Sequence, residues 1–249
     1  MKKYAICFLV MVSLCVLNLD ARSADDKSQQ TKNQSDSSLF IRYTPPMLGK
    51  PGKRVGGGTR GADTEGLTLV ALAPDHTAMT SKSQPALCWF ISRPTDIRIE
   101  ITLDDGRSTK PILERRLDKP TTGGVYCAML SQYAISLKPG AEYQWFITII
   151  PDQEHRSKDI ITGGGVQFKE PAKDLTEKLS RAGDLMVPGL YAGNGFWYDA
   201  IETITRLIEE RPGDTRLYTM RSQLLEQVGL CTVGGRIQEC AGADKTDRK

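Results

Sequence analysis

The clearest pattern of hydrophobic and polar positions runs from Leu137 to Asp152 (LKPGAEYQWFITIIPD). Tyr143, Trp145, Ile147 and Ile149 alternate with Gln144, Phe146, Thr148 and Ile150, the period of two that marks a strand. Pro139 and Gly140 form the turn that leads into it. Leu137, Pro139, Gly140 and Tyr143 together resemble the tyrosine corner of immunoglobulin-like and fibronectin type III sandwiches, in which a tyrosine hydroxyl bonds backbone a few residues upstream.

Six more strands emerge from the same reading. They are Leu67–Ala73, Pro85–Ser92, Ile97–Leu103, Ile112–Leu117, Val125–Leu130 and Gly165–Phe168, with Asp104-Asp105-Gly106 turning a hairpin. In PALCWFIS, Leu87, Trp89 and Ile91 share the expected core face, and Cys88 and Phe90 the other. Seven short strands with turns between them are the requirement of a sandwich.

After Pro171 the period lengthens. Leu175, Leu179 and Ala182 mark a first helix. Trp197, Ile201, Ile204 and Ile208 mark a second, with Asn194 as its expected N-cap, and Arg211-Pro212-Gly213 ends it. Asp214 caps a third, with Leu217, Met220, Leu224 and Val228 on one stripe. The last two resemble one tetratricopeptide-type hairpin, a unit that does not stack alone and must bury its stripes on the sandwich or on another chain. The expected class is α+β: an immunoglobulin/fibronectin III-like antiparallel sandwich followed by a short helical region. The expected divisions are 1–23, 24–53, 54–170, 171–230 and 231–249.

The ends change the picture of compartment. Lys2 and Lys3, the apolar run Tyr4–Leu17 and Ala21-Arg22-Ser23 follow the order of a secretory signal peptide, and the run is shorter than the ~20 residues of a membrane span. Residues 25–38 carry no hydrophobic residue to bury and read as a disordered arm that continues into an extended segment to residue 53. Cleavage removes Lys2, Lys3 and Arg22 with Asp20, so the net charge of +3 falls to +1. No basic field remains for nucleic acid. The expected location is periplasmic or secreted, with no integral span after cleavage.

Four cysteines then remain, with three possible pairings. Cys231 and Cys240 are close in sequence, and Cys88 and Cys127 lie on strands that can be neighbours, so these two bridges are expected; the plainer alternative is free buried thiols.

Candidate chemistry is thin. Arg54 and Arg60 flank the glycines of RVGGGTRG, which suits either an anion cradle or a packed structural loop, since the strand, Lys-Ser/Thr and helix of a phosphate loop are missing. Tyr191, Asn194, Trp197, Tyr198 and Asp199 place aromatic planes beside amide and carboxylate groups, as a sugar or peptide site does; the plainer reading puts Trp197 in the core and Asp199 at the positive end of its helix. The only histidines, His76 and His155, fall in turns and give little material for a zinc site or a triad. No cofactor motif is present.

KRVGGGTRG, LTLVALAP, PALCWF, AEYQWFITIIPD and LYAGNGFWYDAI, in that order, resemble an exported bacterial family called domain of unknown function 928, over about residues 49–230. That resemblance implies a signal peptide, a β-rich middle and a helical end. It supplies no activity and no catalytic residues. The expected function is therefore a non-catalytic envelope module that binds or scaffolds a protein partner; the alternative is a carbohydrate- or peptidoglycan-active hydrolase drawing on Asp104, Asp105, Glu114 or Asp199.

Overall fold

The computed structural model describes residues 40–46, 54–55 and 66–240. The expected signal segment and the expected arm before residue 40, the GGGTRG glycines, Arg60 and the last nine residues lie outside the described residues. The chain divides into Met1–Phe40 and Ile41–Lys249. The strands of the second unit are β1 (Leu69–Ala71), β2 (Ala78–Thr80), β3 (Ala86–Ile91), β4 (Arg98–Asp104), β5 (Leu113–Arg116), β6 (Gly124–Met129), β7 (Glu142–Ile150), β8 (Ile160–Phe168), β9 (Leu230–Val233) and β10 (Arg236–Glu239). Its helices are α1 (Lys173–Arg181), α2 (Val187–Gly193), α3 (Trp197–Glu210) and α4 (Thr215–Glu226).

The architecture is mixed α+β. One sheet has the order β1-β3-β6 and is antiparallel throughout. A second has the order β2-β8-β7-β4-β5, antiparallel except for the pairing of β2 with β8, which is parallel. On the second sheet, alternation does what the sequence requires: Ile99, Ile101 and Leu103 of β4 and Trp145, Ile147 and Ile149 of β7 are all buried. Asp105 and Gly106 turn β4 into β5, with Gly106 at φ +66° and the Asp105 carboxylate accepting from the backbone N–H groups of Arg107 and Ser108. Ahead of β7, Gly140 stands at φ +72° and the N–H of Lys138 donates to the Tyr143 hydroxyl at 3.0 Å.

The structure corrects several expectations. β3 has no solvent face; all six of its residues are buried, because it is the middle strand of its sheet and α3 also packs against it. β8 begins five residues earlier than expected and carries Gly163, Gly164 and Gly165 through its centre. β2, α2 and the β9–β10 hairpin are additions to the expected elements. Asn194 does not cap the second long helix: it is the residue that closes α2, its side-chain N–H donating to Leu190 O at 2.8 Å, while Phe196 precedes the first turn of α3. Asp214 does cap α4, accepting from Arg216 N at 3.1 Å. The apolar stripe of α3 is buried on β2 and β3, and α4 packs against α3 and β9.

Both expected bridges are present. Cys88 and Cys127 stand directly opposite each other on β3 and β6, and Cys231 and Cys240 close the β9–β10 hairpin. Residues 41–46, within the segment expected to be extended and irregular, lie as a strap against the helices, with Ile41 and Tyr43 buried and Arg42 and Thr44 exposed.

Candidate functional site

The first turn of α3 is where the helices meet both sheets, and its side chains hold that junction. Trp197 is fully buried and its indole N–H donates to Leu72 O at 2.8 Å. Tyr198 is also buried; its hydroxyl accepts from the indole of Trp145 and donates to Gly165 O, both at 2.8 Å. Burial holds this phenol well above its ordinary pKa, so it remains a donor at any physiological pH.

The three glycines of β8 make this approach possible. A Cβ on Gly164 would sit 2.5 Å from Ala73 Cβ and 3.4 Å from the Tyr198 oxygen, and one on Gly163 would collide with Trp145 O. These glycines admit a neighbouring backbone and a tyrosine hydroxyl rather than a ligand.

Asp199 is 1% exposed. Ser81 engages both of its oxygens, donating its backbone N–H to one at 2.8 Å and its hydroxyl to the other at 2.5 Å. Burial raises the pKa of this carboxyl; the Ser81 hydrogen bonds and the charge of Lys82 act against that rise without cancelling it. Lys82 itself pairs with Glu202, one turn further along α3, at 2.6 Å. Tyr191, half-buried, lies edge to face with Phe196, and burial raises its pKa as well. Phe196, Met79 and Leu175 form a small apolar cluster beneath it, with Leu179 and Leu190 packed alongside.

The strap crosses the same junction. Thr44 N donates to Ala192 O at 3.1 Å at the end of α2. The side-chain amide of Gln227 accepts from Tyr43 N at 2.8 Å and donates to Ile41 O at 2.9 Å, so one glutamine does for the strap what a neighbouring strand would do. The ring of Tyr43 packs edge-on against Trp197, with centroids 4.9 Å apart, and its hydroxyl is 2.9 Å from His76 Nε2. Burial above all, with some repulsion from Tyr198 and Asp75, raises the Tyr43 pKa and keeps its proton in place. A protonated phenol at Nε2 fits the tautomer with hydrogen on Nδ1, which faces the Asp75 carboxylate at 3.5 Å.

The sequence-level candidates therefore divide. Trp197, Tyr198 and Asp199 are interior, with Trp197 in the core and Asp199 in the first turn of α3 as the plainer reading had it, and their polar atoms are used inside the fold. Arg54 is also committed. Its guanidinium donates to Ala73 O at 3.1 Å, to Val228 O at 2.9 Å and to Glu239 at 3.3 Å, which joins the end of β1, the end of α4 and β10 rather than leaving a cation for an anion. Asn194 is exposed and Tyr191 is partly open. Arg60 lies outside the described residues. Sequence reasoning missed Ser81, Gln227 and Tyr43 and read His76 only as a turn histidine; for the strap, the signal available was the alternation of Ile41 and Tyr43 with Arg42 and Thr44.

Among the described residues no three His, Cys, Asp or Glu side chains gather as metal ligands, and no helix is long and apolar enough to cross a membrane. No curated protein and no solved structure matches the chain. A family model described as Domain of Unknown Function (DUF928) matches residues 55–236, which spans β1 to the first residue of β10 and includes α3 with its sheet partners but not the strap. The chain belongs to the DUF928 family.

Proposed function

We propose that this protein is an exported, non-catalytic binding or scaffolding module of the cell envelope, with its interaction surface on the helical side where α2, α4 and the strap meet. The observation that carries this reading is the strap itself: an extended peptide segment, gripped through its backbone by Gln227 and Ala192 and through one tyrosine side chain by Trp197 and His76. That is how peptide-recognition surfaces hold extended chains. Tyr191 and Asn194 border the same surface, and Arg60 remains the candidate from the glycine loop.

Export is supported by the two disulfides, which persist in oxidising compartments, together with the leader-like order of residues 1–23. We further read the two sheets as an immunoglobulin-like sandwich, on the strength of the Tyr143 hydrogen bond, and α3–α4 as a single tetratricopeptide-like hairpin. The acids available for hydrolysis support the non-catalytic reading: Asp104, Asp105 and Glu114 share the β4–β5 hairpin, where Asp105 is engaged by its own turn, while Asp199 is closed off under Ser81 on α3.

The test is capture from the native envelope fraction with wild-type protein and with Asn194→Lys, which puts a charge on the exposed end of α2. A partner captured by wild type and lost by Asn194→Lys at unchanged melting temperature supports the reading. Turnover of a glycan or peptide by purified protein, abolished by one Asp or Glu substitution, overturns it.

A further inference from the structure

We infer that the groove under residues 41–46 is a receptor for this same strap when a second copy of the chain supplies it, so that two copies exchange straps and each completes the other's tyrosine socket. The inference rests on the binding-module reading and names its partner.

Three observations lead to a second copy. The groove's fit is defined by the segment seated in it, with Ile41 and Tyr43 turned in and Arg42 and Thr44 turned out, and every copy carries that segment. The attachment is made by side chains and by a single carbonyl, Ala192 O, so the strap leaves without breaking a sheet ladder. The segment that joins the strap to the rest of the unit contains only residues 47–53 before Arg54, which is pinned by Ala73, Val228 and Glu239. Exchange of an identical element between copies remakes the same groove contacts and is a low-cost route to a dimer.

The balance between the two forms is then one of concentration. A strap in its own groove competes at an effective concentration in the millimolar range, so exchange grows as local protein concentration approaches ~1 mM. Crowding of copies at one place in the envelope favours it.

The experiment uses the full exported chain with single cysteines added beside the two native bridges. Arg42 and Gly193 are both exposed, and a Cβ at Gly193 lies 4.0 Å from Arg42 O. A chain with Arg42→Cys is mixed with a chain with Gly193→Cys across a range of concentrations and treated with a short bismaleimide; a chain with both substitutions is treated in parallel. The expected result is an intrachain adduct in the double variant and, in the mixture, a two-chain adduct that grows with concentration and disappears when Tyr43→Ala is added to the Arg42→Cys chain. An intrachain adduct with no two-chain adduct up to ~1 mM overturns strap exchange and leaves the binding-module reading intact. Failure of the double variant to link within one chain removes the groove, and both readings with it.

Discussion

Tyr198→Phe isolates the bond that locks α3 to the second sheet. Phenylalanine keeps the ring and its edge-to-face contact with Trp145, where the centroids are 6.5 Å apart, so only the hydroxyl is removed. That one oxygen serves two buried groups at 2.8 Å each: it accepts from Trp145 Nε1 and donates to Gly165 O. The indole has no other way out, since Trp145 is fully buried, whereas Gly165 lies in a strand paired on both sides, so its carbonyl keeps the β2–β8 ladder. Leaving a buried polar group without its partner costs about 1–3 kcal/mol, so the one stranded indole N–H predicts a loss of that size. For a chain of this size a loss of about 2 kcal/mol lowers the melting temperature by roughly 4–8 °C. Urea denaturation followed by tryptophan fluorescence measures it, with Trp145→Phe and the double variant completing a cycle. The double variant should lose less than the sum of the singles, because the indole N–H that Tyr198→Phe strands is no longer there. A loss under about 0.5 kcal/mol, or strict additivity, would refute the reasoning and show that relaxation satisfies the indole; typical surface substitutions already reach that value.

Asp199 predicts a pH dependence of definite sign. Its folded pKa lies above its ordinary value, so as pH rises from the acid side the unfolded chain releases this proton first and the folded chain later; the contribution of Asp199 to stability therefore falls as pH rises from the ordinary carboxylate range through the raised folded value. Asp199→Asn removes that slope while keeping one acceptor for Ser81 N, and urea midpoints between pH 4 and 7 for the two chains should diverge toward neutral pH; identical profiles refute the assignment. Gly164→Ala should destabilise by about 1–3 kcal/mol because its methyl group meets Ala73 Cβ, which has nowhere to rotate. Gly183→Ala, with open space around it, is the matched control and should change the calorimetric melting temperature little. Tyr143→Phe removes the acceptor for Lys138 N and should lower stability by roughly 0.5–1.5 kcal/mol; equal denaturant midpoints would remove the corner from the account of β7.

Where local chemistry decides the structure, the sequence is readable. β7 shows its alternation over eight residues, and α4 shows its cap at Asp214 because the capping carboxylate bonds an N–H only two residues away. Where a long-range partner decides, it is not. Gly163-Gly164-Gly165 reads locally as a strand breaker, yet β8 runs through it because Ala73, Trp145 and Tyr198 need the space a side chain would occupy. β2 has three residues and no period, and is a strand only because β8 pairs with it. α2 contains Pro188 and two glycines in seven residues; proline near the helix start is tolerated because the N–H it lacks has no partner there. The site suffers most from this. A run of Phe, Trp, Tyr and Asp looks the same whether it lines a cleft or fills a core, and the groups that place it in the core, Leu72 O, Gly165 O and Ser81, come from elsewhere in the chain. The Gly234-Gly235 turn of the last hairpin, with φ of +55° and +78°, is a two-glycine hairpin signal that the flanking cysteines overshadow.

Arg54 ties the start of the family region to its end. Through one guanidinium, the residue that leads into the family region touches the carbonyl after α4 and the side chain of Glu239 on the last strand, while Cys240 N bonds Gly229 O beside them. In mechanical terms, a pull applied between residue 54 and residue 240 meets this short path and the Cys231–Cys240 loop, and reaches the second sheet where Val55 and Gly163 exchange two backbone hydrogen bonds. Two points held this close together are what allow a unit to be spliced into a loop of another chain.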